Sequence, residues 1–207
     1  MRILMLGNSF TFANNMPETL ANLIDAEVVQ HTRGGARLAE QLNPDTKMGG
    51  MTQAALENEK WDYVILQEMS NGPITSKESF LKNTALLCER IRSNGAVPVL
   101  YATWAYQKGG KQLKSFGMDY DEMYQKMYDA YHEAADRNEA LIADVGKRFY
   151  EEAAKQDIFA EDGCHPNELG SRLAAQVIVD VILADQANKA EMVIESKVED
   201  NDTRLRI

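Results

Sequence analysis

Short, mostly apolar runs alternate along this chain with longer stretches in which apolar residues recur every three or four positions. Arg2 to Leu6, Glu27 to His31, Tyr63 to Gln67, Val97 to Thr103 and Ala140 to Asp144 are runs of the first kind, and their length and β-branched content predict strands. Most are apolar throughout rather than alternating, as parallel strands covered on both faces should be. The periodic stretches predict helices over Pro17 to Ile24, Ser76 to Ser93, Tyr120 to Arg137, Lys147 to Lys155 and Asn167 to Ala184. Strand followed by helix, repeated, predicts an α/β fold: one three-layer α/β/α domain around a parallel five-stranded sheet, in the order 2-1-3-4-5.

No Pro/Gly/Ser-rich linker interrupts the 207 residues, so the expectation is a single domain over 1–187 and a charged C-terminal extension over 188–207. Hydrophobic residues make up 44% and charged ones 26%, the profile of a soluble globular protein. The formal net charge of -10 argues against nucleic acid and anionic lipid as partners, because such binding comes from Lys and Arg displacing counterions. No apolar run reaches the roughly 20 residues of a membrane helix. Cys88 and Cys164 are too few for a disulfide framework, so reduced thiols are expected. Met1 and Arg2 lead straight into a strand without the apolar core of a secretory signal, which sets the expected location in the cytoplasm.

Ligands of such sheets collect at the carboxyl ends of the strands. Ser9 follows the first strand within Gly7, Asn8, Ser9, Phe10, Thr11, and a late loop offers Asp162, Gly163, Cys164, His165, Pro166. A serine hydroxyl is a poor nucleophile until an imidazole takes its proton and a carboxylate holds that imidazole in the right tautomer. Ser9, His165 and Asp162 supply this set. The Asp-x-x-His spacing also occurs at Asp129 and His132, but within a helical stretch, where His132 reads as a surface or boundary residue. His165 stands in a loop before the last helix, with Asn167 placed to cap it. Asn8, Ser9 and Thr11 also suit a turn or cap after a strand.

Gly7, Asn8, Ser9, Phe10 resembles the N-terminal nucleophile block of the SGNH (GDSL-like) hydrolases, with Asn8 where Asp is more usual, and Asp162 with His165 resembles their C-terminal block. The two blocks bracket nearly the whole chain. The resemblance implies a flavodoxin-like fold, and an oxyanion held by the amide of the serine, here Ser9, a glycine amide and a side-chain amide. Gly35, after the second strand, is the glycine candidate, and it also suits a turn. The family's Gly-x-Asn block is missing, and Gln67 at the end of the third strand resembles a longer substitute for its asparagine, with Asn71 as the second candidate.

Around these, Asn8, Asn71 and Trp104 are possible substrate-binding residues. Trp104 and Tyr106 suit either stacking on a sugar ring or packing. Glu68 reads as a solvated strand-end carboxylate, or else as a group that orients Arg37 or a substrate hydroxyl. With three histidines, two cysteines and no zinc spacing among them, no metal and no cofactor are called for. The expected function is a serine esterase that hydrolyses a small acyl ester, such as an O-acetyl group on a carbohydrate, through an acyl-enzyme on Ser9. The alternatives are a flavin- or nucleotide-binding module using the loop Asn8 to Phe10, and a hydrolase fold without turnover.

Overall fold

The structure, a computed structural model, describes the backbone of residues 1–204 and side chains through 193. Along the chain run β1 (Arg2–Gly7), α1 (Ser9–Phe12), a 3-10 turn (Ala13–Asn15), α2 (Met16–Ile24), β2 (Glu27–Thr32), α3 (Leu38–Leu42), α4 (Lys47–Asn58) and β3 (Tyr63–Leu66). There follow α5 (Gly72–Thr75), α6 (Lys77–Asn94), β4 (Val97–Tyr101), α7 (Lys111–Phe116), α8 (Tyr120–Arg137), β5 (Leu141–Ala143), α9 (Val145–Glu152) and α10 (Glu168–Arg204). The five strands form one sheet in the order β2-β1-β3-β4-β5, every pairing parallel. It is the expected order, with helices on both faces.

Ile3, Leu4, Met5 and Leu6 of β1 are wholly buried, since helices cover both faces of a central parallel strand. Each such side chain contributes roughly 1.5–3 kcal/mol on burial. β2 lies at the sheet's edge and is partly exposed, which matches its more polar sequence. Parallel pairing also sends every strand's carboxyl end to one side, so Ser9, Arg37, Gln67, Trp104 and Asp144 all leave the sheet at the same edge.

The strands and five expected helices are present, with ends that move by a few residues, apart from the last helix. Predicted to close at Ala184, it continues as one helix to Arg204 and so takes in most of the stretch assigned to a charged extension. Residues 205–207 of that stretch lie outside the described residues. Five helices went unassigned in the sequence, the four-residue α1 among them. α3, α5 and α7 are too short to show a period, and α4 carries Gly49 and Gly50 in its first turn, a composition that argues against helix. Among the described residues no helix is long and apolar enough to cross a membrane. Both cysteines are buried and free.

Candidate active site

β1 ends at Gly7, and the chain turns at once into α1. Asn8 caps this short helix, its Oδ1 accepting the Phe10 N–H at 3.1 Å, so Ser9 stands at the first helical position with its side chain over the sheet edge. A side chain at Gly7 would put its Cβ 2.3 Å from Thr11 Oγ1 and 2.7 Å from Gln67 Oε1. Glycine is therefore required for the Gln67 side chain to slide beneath the turn.

The far end of the chain meets this turn. Ser9 Oγ lies 2.8 Å from His165 Nε2, across 156 positions of sequence. His165 Nδ1 lies 2.5 Å from Asp162 Oδ2. Asp162 Oδ1 accepts the backbone N–H groups of Cys164 and His165, each at 2.9 Å. An acceptor on Nδ1 fixes the ring proton there and leaves the Nε2 lone pair facing the serine hydroxyl. Burial pushes the Asp162 carboxyl up, but the bonds from the His165 ring and from the two amides outweigh it and hold the group below its ordinary value. The arrangement can take a proton from Ser9 and hold the resulting imidazolium against an ionised carboxylate.

Four contacts hold the histidine loop in place, to the nucleophile turn on one side and to the segment after β4 on the other. Trp104 is only 1% exposed, its ring stacked on Phe10 at 4.6 Å and on Phe149 at 4.0 Å. Its indole N–H donates to the Cys164 carbonyl at 3.0 Å. Phe10 in turn sets its ring edge-on to His165 at 5.3 Å. Gln107 N–H donates to the Gly163 carbonyl at 2.8 Å, and Asn14 Nδ2 donates to the Pro166 carbonyl at 3.0 Å. Asn167 caps α10 as expected, its Oδ1 accepting the Gly170 N–H at 3.0 Å.

Several sequence expectations are corrected here. Trp104 has both ring faces covered by Phe10 and Phe149, so no sugar can stack on it; it packs and positions. Asn8 is buried, with Nδ2 donating to the Ala36 carbonyl at 3.0 Å, so it ties two loops together instead of meeting substrate. Glu68 is 3% exposed and not solvated. Its carboxylate accepts the Met69 N–H at 2.7 Å and the Leu38 N–H at 3.4 Å. Tyr106 is buried too, its hydroxyl 3.0 Å from Ser70 Oγ. His132, by contrast, lies half-buried on α8 as a boundary residue, pairs with Asp144 at 2.9 Å and stacks on Tyr128 at 3.8 Å.

The candidate oxyanion donors stand as follows. Gln67 is buried, its Oε1 accepting the Asn8 N–H at 2.9 Å and the Thr11 hydroxyl at 3.0 Å. Two donors on that oxygen fix the orientation of the amide. Its Nε2 donates one hydrogen to the Glu68 carbonyl, and the second has no acceptor among the described residues. Gly35 sits exposed at φ +67 in a turn closed by Ala36 N–H on the Arg33 carbonyl at 3.0 Å. The backbone N–H groups of Ser9 and Gly35 likewise have no acceptor among the described residues. The phosphate-cradle alternative fits this loop poorly, because the amides of Asn8 and Phe10 already serve Gln67 and Asn8. Among the described residues no three His, Cys, Asp or Glu side chains converge as a metal would require.

The model of a family described as a domain of unknown function, DUF4886, matches residues 42–185. A structure from Slackia heliotrinireducens, proposed to be an SGNH hydrolase, is 50% identical with a TM-score of 0.85, over 88% of this chain and 98% of that one. A DUF4886 family protein from Bacteroides uniformis is 22% identical, TM-score 0.68, over 87% and 82%. The acetyl xylan esterase AlAXEase is 16% identical, TM-score 0.68, over 87% and 98%. These last two are likenesses of fold. Among curated proteins nothing matches.

Proposed function

Since the chain belongs to the DUF4886 family, a divergent branch of the SGNH hydrolases, we propose that it is a serine esterase that cleaves a small acyl ester through an acyl-enzyme on Ser9. The observation that carries this reading is the continuous hydrogen-bonded chain Ser9, His165, Asp162, with links of 2.8 and 2.5 Å. Ser9 Oγ attacks the ester carbonyl carbon while His165 Nε2 takes its proton. The intermediate collapses as Nε2 returns that proton to the leaving alcohol, and a water deprotonated by the same nitrogen then releases the acid and frees Ser9. Asp162 keeps Nδ1 protonated and faces the imidazolium with a negative charge.

The amides of Ser9 and Gly35 and the uncommitted hydrogen of Gln67 Nε2 receive the developing oxyanion. Their lack of protein acceptors supports that role, since donors held ready for charge that appears only in the transition state need no reorganisation. The acetyl xylan esterase among the structural neighbours supports an O-acetyl group on a carbohydrate as the substrate. Ser9→Ala should lower hydrolysis of 4-nitrophenyl acetate about 10⁴-fold or more and abolish labelling by a fluorophosphonate probe. Unchanged turnover in that variant would refute the proposal.

A further inference from the structure

In the order β2, β1, β3, the loops after β2 and β3 lie on either side of the one that carries Ser9. Glu68 joins these two flanking loops, because one carboxylate oxygen accepts Met69 N–H and the other Leu38 N–H. The first loop is also anchored to the nucleophile turn through Asn8 Nδ2 and the Ala36 carbonyl. Arg37, between Ala36 and Leu38, and Asn71, two residues beyond Met69, are thereby held at the edge where Ser9 stands.

Both residues are half-buried. Among the described residues the Arg37 guanidinium makes no hydrogen bond or ion pair, and the Asn71 side-chain amide makes no hydrogen bond. Elsewhere Arg2, Arg33, Arg137 and Arg148 each pair with a glutamate. Carboxylates are plentiful in a chain of net charge -10. Glu68 acts on Arg37 through space, but its oxygens serve backbone amides, and Glu40, three positions further on, is taken by Arg33 at 2.6 Å. A half-buried cation on a loop tied to the nucleophile turn, with no hydrogen bond or ion pair among the described residues, is free to take a partner from outside the chain.

We propose that Arg37, with the Asn71 amide on the other flanking loop, is the specificity-determining residue for an ester that itself carries a carboxylate, in its acyl part or its alcohol part. The inference rests on Ser9 being the nucleophile. A guanidinium presents parallel donors that match a carboxylate, and without it the surrounding negative charge repels an anionic substrate.

The test compares kcat/KM within two matched pairs, using the full chain. The acyl arm sets 4-nitrophenyl hemisuccinate against 4-nitrophenyl butyrate, and the alcohol arm sets an O-acetylated methyl glucuronide against the corresponding glucoside. In one arm the charged member should be preferred about ten-fold or more, and that arm identifies where the carboxylate sits. The preference should fall toward unity in Arg37→Gln, recover in part in Arg37→Lys, and shrink as salt is raised. Because each ratio is taken within one variant, general damage to the protein cancels. Equal or reversed preference in both arms, or a preference that Arg37→Gln leaves intact, overturns the assignment while the esterase reading stands. Absence of all turnover, with Ser9 unlabelled by fluorophosphonate, overturns both.

Discussion

Replacing Asp162 by asparagine isolates what one carboxylate oxygen does. Oδ1 accepts two backbone N–H groups at 2.9 Å, and an asparagine carbonyl at that position accepts them equally well. Oδ2 receives His165 Nδ1 at 2.5 Å, and there asparagine presents an NH₂. The amide cannot flip to avoid this, since its donors would then face two backbone donors. Nδ1 must become the acceptor, and the ring proton moves to Nε2. An N–H then points at the Ser9 oxygen 2.8 Å away, where a lone pair is needed. The loop keeps its shape and loses its base, so kcat should fall about 10⁴-fold, equivalent to about 5 kcal/mol of transition-state stabilisation. Hydrolysis of 4-nitrophenyl acetate reads the loss, and the thermal midpoint reads the fold. Asp162→Ala, which also removes the acceptor for both amides, should lower the midpoint where Asp162→Asn does not. A kcat within ten-fold of wild type in folded Asp162→Asn would refute the tautomer argument.

Trp104→Phe keeps an aromatic ring between Phe10 and Phe149 but deletes the indole N–H on the Cys164 carbonyl. Leaving that carbonyl unpaired should cost about 1–3 kcal/mol of unfolding free energy, and the loosened histidine loop should lower kcat more than it raises KM. A lowered melting midpoint with wild-type kcat would show that the indole stabilises without positioning. Glu68 supplies a pH prediction. Burial holds its carboxyl above the ordinary 4.5, against the pull of the Met69 and Leu38 amides, so ionisation of Glu68 opposes the fold. The stability it contributes is complete below 4.5 and is lost as pH rises through the raised folded value. Urea titrations at a series of pH values should therefore show wild type losing stability relative to Glu68→Gln as pH climbs above 4.5. A difference between the two proteins that stays constant with pH would sink this account.

The sheet and the three residues of the hydrogen-bonded chain were legible in the sequence, for reasons that are local. A wholly apolar run such as Ile3 to Leu6 has few places to go other than the middle of a sheet. A serine straight after such a strand has little choice about which edge it faces, and the loop position of His165 separates it from the helical His132. Glu68 was misread, and Trp104 and Asn8 were left between two readings, because their surroundings come from distant segments. A carboxylate after a strand looks solvated until α3 brings the Leu38 amide to it. A tryptophan looks free to stack on a sugar until Phe10 and Phe149, from opposite ends of the chain, close on its two faces. Asn14, whose amide fastens the Pro166 carbonyl, carries no signal beyond its tolerance of the left-handed backbone it adopts at φ 53.

The polar groups at this edge divide by whether the protein satisfies them, and the division separates support from chemistry. Asn8, Glu68, the Gln67 carbonyl and the Trp104 indole are buried and hydrogen-bonded, as groups that hold a shape must be. Among the described residues, the groups left without a protein acceptor include the amides of Ser9 and Gly35, one hydrogen of Gln67, the Asn71 amide and the Arg37 guanidinium, and all of them can donate. A site lined by spare donors next to a nucleophilic oxygen selects a ligand rich in acceptors. An ester carbonyl that turns into an oxyanion meets the first three, and a carboxylate nearby on the same molecule meets the other two. The same division says which substitutions should separate the two roles: changes among the supporting groups should move stability and rate together, whereas changes among the spare donors should move rate or specificity at nearly constant stability.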